Sequence, residues 1–187
     1  MSVFRGFIAV DIKATDKIIR FLDEINKINA DVKTVDSKNI HITLKFLGDI
    51  QNEKIESIEE IIKNSVKEIS TFNLNLIGSG VFPNKNYIRV VWIGIEDSDT
   101  LKNIARNIDE EIAKLGFKKE KRGFSAHLTL GRVKTAKNKD KLLKKIEEYT
   151  DFDFGIQKVN SIKLKKSQLT PSGPIYTTIK EVKLLSR

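Results

Sequence analysis

Histidine occurs twice among the 187 residues of this chain, and each time it opens a tetrad of one type. The first tetrad is His41-Ile42-Thr43-Leu44 and the second is His127-Leu128-Thr129-Leu130. Chance placement of both histidines into matching tetrads is improbable, so the two are read as a pair serving one site. Imidazole titrates near neutrality, so one ring of a pair can be neutral while the other is protonated. The neutral ring can take a proton from an attacking oxygen while the charged ring delivers one to a leaving oxygen. In displacement at phosphorus those two oxygens are roughly in line, so the rings must face the phosphorus from opposite sides. Threonine hydroxyls and cationic side chains can hold the non-bridging oxygens, where charge must be stabilised. His41, His127, Thr43 and Thr129 are therefore the candidate catalytic residues.

Other chemistries fit less well. A catalytic metal wants three or more ligands, usually with carboxylates or thiolates, and His-x-Thr spacing is not a ligand pair. The chain has no cysteine, which excludes thiolate sites and disulfides. A Ser-His-Asp triad needs one histidine rather than a matched pair. Two buried, hydrogen-bonded core histidines are the bland alternative, and the matched tetrads argue against it. No metal and no cofactor are expected.

Each tetrad lies in an apolar, β-prone run, Ile40 to Leu47 and Phe124 to Val133. Residues i and i+2 of a strand share a face. His41 and Thr43 thus point one way and Ile42 and Leu44 the other, and the second tetrad repeats the arrangement. Two such strands side by side make a cleft with two imidazoles and two hydroxyls. Arg132 lies five residues after His127, nominally on the opposite face, but Gly131 permits a bulge that would turn it to the cleft as a phosphate or ribose clamp. Phe46 lies five after His41; it reads more simply as core, with a base-stacking platform as the functional alternative. Tyr176 can reach the cleft from a closing strand. Lys45 and Lys134 stand open between cleft and solvent, as does the basic run Lys118 to Arg122.

The elements that must position these groups follow from periodicity. Phe4 to Val10 reads as a strand. Ile18, Phe21, Leu22, Ile25 and Ile28 form a helical stripe capped by Thr15 or Asp16. A short strand near Val32 to Val35 precedes the first tetrad strand, which is expected to end at Gly48. Ile55, Ile58, Ile62, Val66 and Ile69 mark a second helix with Asn52 as its cap. Phe72, Leu74 and Leu76 alternate as a half-buried strand, and Gly78 to Asn86 reads as a turn-rich loop. Tyr87 to Ile95 is a strand. Leu101, Ile104, Ile108, Ile112 and Leu115 form a helix stopped by Gly116. Leu142, Leu143, Ile146 and Tyr149 suggest another helix, and Phe152 to Leu164 one further strand.

The histidines are 86 residues apart, and a shift by that distance lays the opening strand and both helices of the first half onto those of the second. The order predicts a single domain over residues 1–187. It has pseudo-two-fold halves of about 1–80 and 87–165 and a closing segment, 167–187. The expected class is α+β, bilobal, with mainly antiparallel sheets, helices outside and a central cleft. The formal net charge of +9 suits a phosphate polymer, or solvated lysine on helix faces. No apolar run approaches a membrane span and the start is too polar for a signal peptide, so a soluble cytoplasmic protein with no membrane partner is expected.

Five blocks in order resemble one family, the RNA 2′,3′-cyclic phosphodiesterases, or 2′-5′ RNA ligase-like proteins, of the two-histidine phosphoesterase superfamily. They are Arg5 to Ala9; Asn39 to Gly48; Gly80-Val81-Phe82-Pro83 with Arg89-Val90-Val91-Trp92; His127 to Val133; and Ser167 to Tyr176. Ala126 stands where the family often has proline. The resemblance implies hydrolysis of an RNA terminal 2′,3′-cyclic phosphate to a 2′-phosphate. His41 would be the proton donor to the 3′ oxygen and His127 the acceptor from water. The implied partner is RNA with such an end, including tRNA halves, with no obligate protein partner evident. The alternatives are 2′-5′ joining of tRNA halves and an RNA-end binding protein without turnover.

Overall fold

The computed structural model describes residues 3–121, 123–171 and 173–186. Arg122 of the basic run and Ser172 of the closing loop lie outside the described residues. The chain runs β1 (Val3–Asp11), α1 (Asp16–Lys27), β2 (Val32–Thr34), β3 (His41–Gln51), α2 (Ile55–Val66), β4 (Phe72–Pro83), β5 (Ile88–Glu96), α3 (Asp99–Lys114), β6 (His127–Val133), α4 (Lys139–Glu147), β7 (Asp153–Val159), β8 (Ser161–Thr170) and β9 (Gly173–Lys183).

The strands form two antiparallel sheets, ordered β3-β1-β8-β9 and β2-β6-β5-β4-β7. The expected α+β, bilobal, antiparallel architecture is present, with one tetrad strand in each sheet. The sheets do not follow the sequence halves, however. β4 belongs to the first half yet joins the sheet of β6, and β8 of the second half joins the sheet of β3. The halves are thus laced together by an exchanged strand. Periodicity identifies a strand but not the partner it finds far along the chain, so the division at 1–80 and 87–165 does not describe the sheets.

The helices bury the stripes that the sequence marks. Ile18, Phe21, Leu22 and Ile25 of α1 are buried, and the Thr15 hydroxyl accepts the Ile18 N–H at the N-cap. α2 buries Ile58, Ile62 and Val66, and packs on α3, which buries Leu101, Ile104, Ala105, Ile108 and Ile112. Asn52 is not the cap of α2: Asn52–Lys54 form a 3-10 turn, and Lys54 takes the cap position without a side-chain bond. Three further differences have local causes. Gly48 adopts φ +70° at a bulge between β1 and β3, and the strand continues to Gln51 rather than stopping there. Gly78 to Pro83 continues β4 instead of looping. Phe152 to Leu164 spans two strands, β7 and the start of β8, divided at Asn160. Among the described residues no helix is long and apolar enough to cross a membrane.

Candidate active site

Ile42, Leu44, Leu128 and Leu130 are buried, while His41, Thr43, His127 and Thr129 between them are half-buried. Burying each aliphatic side chain contributes about 1.5–3 kcal/mol, and a one-residue slip would send the histidines into the core. Apolar packing therefore fixes which way the imidazoles face. β3 and β6 lie against each other although they belong to different sheets.

Both rings are held in the same manner. Nδ1–H of His41 donates to the Asn39 carbonyl at 2.6 Å, and Nδ1–H of His127 donates to the Ser125 carbonyl at 2.7 Å. A carbonyl only accepts, so Nδ1 carries the hydrogen in each ring. Nε2 is then the acceptor of the neutral ring and the second donor of the charged ring. The backbone two residues upstream thus sets the tautomer and leaves one proton-transfer atom on each imidazole.

Two matching bulges bring further side chains to this face. In β6 the pairing to β5 passes from Trp92↔Thr129 to Val91↔Gly131, so Leu130 is extra. Leu130 and Gly131 are both buried, and Arg132 emerges exposed on the His127 side, as the Gly131 reading anticipates. In β3 the pairing to β1 passes from Ala9↔Thr43 to Ile8↔Lys45, so Leu44 is extra. Phe46 emerges on the His41 side and is 61% exposed, which overturns its simpler reading as core. Lys45 points the other way and is neither in the cleft nor solvated. It is 2% exposed and donates to Asp109 Oδ1 at 2.6 Å and to the Lys118 carbonyl at 2.6 Å. The Asp109 carboxylate also accepts the Glu120 N–H, so this buried pair pins part of the segment leading to the second tetrad. Lys134 is exposed. Tyr176 reaches His41, edge-on at 5.2 Å between ring centroids. Asn39 holds it there by donating from Nδ2 to the Pro174 carbonyl at 3.1 Å. Burial pushes the Tyr176 phenol up, and the Arg132 charge opposes that, so the two sheets meet electrically at this point.

Residue patterns did not single out five other members of the site. Phe7 lies tilted against His41 at 4.9 Å, and Phe82 stands edge-on to His127 at 5.1 Å. Trp92 packs against Phe82 at 5.2 Å, and a Cβ on Gly80 would come within 2.3 Å of its indole, so glycine there lets the ring cross β4. Phe7, Phe82, Gly80 and Trp92 all fall in the quoted family blocks, which was the available signal. Lys165 is 7% exposed and carried no signal at all. It pairs closely with Asp11 Oδ1, while Lys163 takes Oδ2 at 2.9 Å. Burial raises the Asp11 carboxyl, but the bonds from Lys165 and Lys163 outweigh it and hold the group below its usual value. Burial pushes the His41 imidazole down; the Asn39 carbonyl opposes this, and the Lys165 charge adds to it. A separate concavity on α3, lined by Arg106, Asp109, Lys119 and Glu120, contains neither histidine.

One backbone-oriented imidazole stands on each of two sheets, on tetrad strands that lie against each other, which is the arrangement of a two-histidine fold. The family model described as the AKAP7 2′5′ RNA ligase-like domain matches residues 7–184, and the chain belongs to that family. It is similar to proteins named RNA 2′,3′-cyclic phosphodiesterase. That of Methanocaldococcus jannaschii is 45% identical, over 95% of this chain and 99% of the relative. That of Methanothermobacter thermautotrophicus is 41% identical, over 96% and 98%. The fold resembles the crystal structure of TT0787 of Thermus thermophilus, with a TM-score of 0.77, 24% identity and coverage of 96% and 97%. It also resembles E. coli LigT complexed with 3′-AMP, with a TM-score of 0.72, 22% identity and coverage of 98% and 99%.

Proposed function

We propose that this protein hydrolyses RNA terminal 2′,3′-cyclic phosphates to 2′-phosphomonoesters without a metal, by paired histidine acid–base catalysis. The carrying observation is that each imidazole has Nδ1 committed to a backbone carbonyl, so each offers Nε2 for proton transfer. His127 Nε2 takes a proton from water as the water oxygen bonds to phosphorus. The P–O3′ bond breaks, and His41 Nε2 gives its proton to the departing 3′ oxygen. The product carries a 3′ hydroxyl and a 2′-phosphate. Thr43, Thr129 and Arg132 hold non-bridging oxygens. Phe46 and Tyr176 offer ring faces to the terminal nucleoside. The order of the two rings comes from the family resemblance. Burial disfavours the charged form of His41, and an anionic phosphate in the cleft restores it.

The relatives' names support the RNA substrate. The test is product analysis on an RNA of defined sequence with a 2′,3′-cyclic end, in EDTA, with 2′- and 3′-phosphates resolved. The 2′-phosphate is expected. A 3′-phosphate product, a strict metal requirement or no turnover would overturn the proposal.

A further inference from the structure

The registers of the two sheets place an inverted pair of side chains around the histidines. In the sheet of β3, Phe7 pairs with Phe46 on one side and Lys165 on the other. In the sheet of β6, Val90 pairs with Arg132 on one side and Phe82 on the other. Residues directly opposite in antiparallel strands share a face, so each row lies on its histidine's face. The rows read Lys165–Phe7–Phe46 and Phe82–Val90–Arg132. Phe46 corresponds to Arg132, five residues after its histidine. Lys165 corresponds to Phe82, which touches the ring of His127. Each sheet therefore places one cation and one aromatic at the two ends of its row, in exchanged positions.

Arg132 accounts for one cation of this arrangement, and the other has no role in the reaction described above. An ammonium has three donors. Lys165 is more than nine-tenths buried, and among the described residues its ionic partner is Asp11. Asp11 is shared with Lys163, which also lies 3.6 Å from Glu181, so the four charges balance, but among the described residues Lys165 has Asp11 alone as its acceptor. Desolvating an ammonium is costly, and one acceptor leaves two of its three donors unfilled. The position on the His41 face, the unfilled donors and the pairing with Arg132 across the site fit one ligand chemistry.

We propose that Lys165, held by Asp11, is a second phosphate-binding cation of the cleft and donates to a non-bridging oxygen on the His41 side. This rests on the phosphodiesterase reading for the identity of the substrate, but not for the existence of the anion site. Arg132 and Lys165 then grip the phosphoryl group from the two sheets, and the sum of their charges offsets what develops on its oxygens.

The test uses the full chain, with inorganic phosphate as the probe. Calorimetry reads its binding, and steady-state kinetics on a 2′,3′-cyclic nucleotide read KM and kcat. Lys165→Met should weaken phosphate binding about tenfold or more and raise KM similarly, the loss expected of a charged hydrogen bond. Lys165→Arg should recover most of both. The double variant Asp11→Asn/Lys165→Met leaves no orphan carboxylate at Asp11 and should show the same weakened phosphate binding as Lys165→Met. Wild-type phosphate affinity in Lys165→Met, or its return in the double variant, would overturn the proposal. Phosphate binding that depends on Lys165 in a protein without phosphodiesterase turnover would sink the hydrolase reading and keep the anion site.

Discussion

Around His41 the neighbours are two aromatic rings, Phe7 and Tyr176, together with the charges of Asp11 and Lys165. Around His127 the ring neighbour is Phe82, backed by Trp92. The backbone treats the two imidazoles alike, with the same tautomer, strand position and bulge. The difference comes from the strands beside them, β1, β8 and β9 around His41 and β4 and β5 around His127. Two rings in identical settings would compete for the same proton. Burial and the Lys165 charge lower the His41 pKa, and an anionic phosphate in the cleft must offset that for His41 to serve as the donor. The near-repeat builds the pair, and the order of tasks proposed for it comes from the family resemblance.

The comparison breaks most visibly if the rings do not act together. His41→Ala and His127→Ala should each lower kcat/KM by about 10²- to 10⁴-fold. Full activity in either variant would show that one ring works alone. The link between the halves can be cut separately. Asp109→Ala removes the near carboxylate of the buried Lys45 ammonium, leaving Glu120 at 3.7 Å, and should cost up to about 3–5 kcal/mol in denaturant unfolding. A cost below about 1 kcal/mol would mean that this tie between β3 and the chain ahead of His127 holds little. On the His127 side alone, Gly80→Ala forces the Trp92 indole away and should cost about 1–3 kcal/mol of stability. It should lower kcat while leaving phosphate binding intact; unchanged stability and kcat would remove the aromatic wall from the account.

The smallest effect is the pH profile. The His41 pKa is lowered by burial and by Lys165 and supported by the Asn39 carbonyl and Asp11, with Phe7 and Tyr176 also against the ring. A donor must be protonated, so its contribution to kcat/KM is present at low pH and lost as pH rises through that lowered pKa. The alkaline limb should start below the ordinary histidine value of 6.5. In kcat, with phosphate bound, it should move up. Lys165→Met should move the limb of kcat/KM to higher pH. The shift between variants is the informative quantity. A shift to lower pH would contradict the picture of His41.

Both tetrads, their facing and the α+β class were legible because period-two burial needs only local sequence. Arg132 was legible through Gly131, whose missing side chain signals a bulge. Phe46 was misjudged because the equivalent bulge in β3 falls at Leu44 and Lys45, with no glycine to mark it. Lys45 reads as a surface charge until Asp109, sixty-four residues on, covers it. Lys165 was invisible for the same reason: its meaning depends on β8 crossing into the sheet of β3. Strand exchange lies in long-range pairing, which short windows of sequence do not encode.

The assignment of tasks can be read with a substrate whose bridging 3′ oxygen is replaced by sulfur. A thiolate departs without needing a proton, its thiol pKa being near 8.5. If His41 protonates the leaving group, the sulfur substrate should restore most of the rate lost in His41→Ala and little of that lost in His127→Ala. Rescue of His127→Ala instead, or equal behaviour of the two variants, would contradict the division of labour proposed for the two halves.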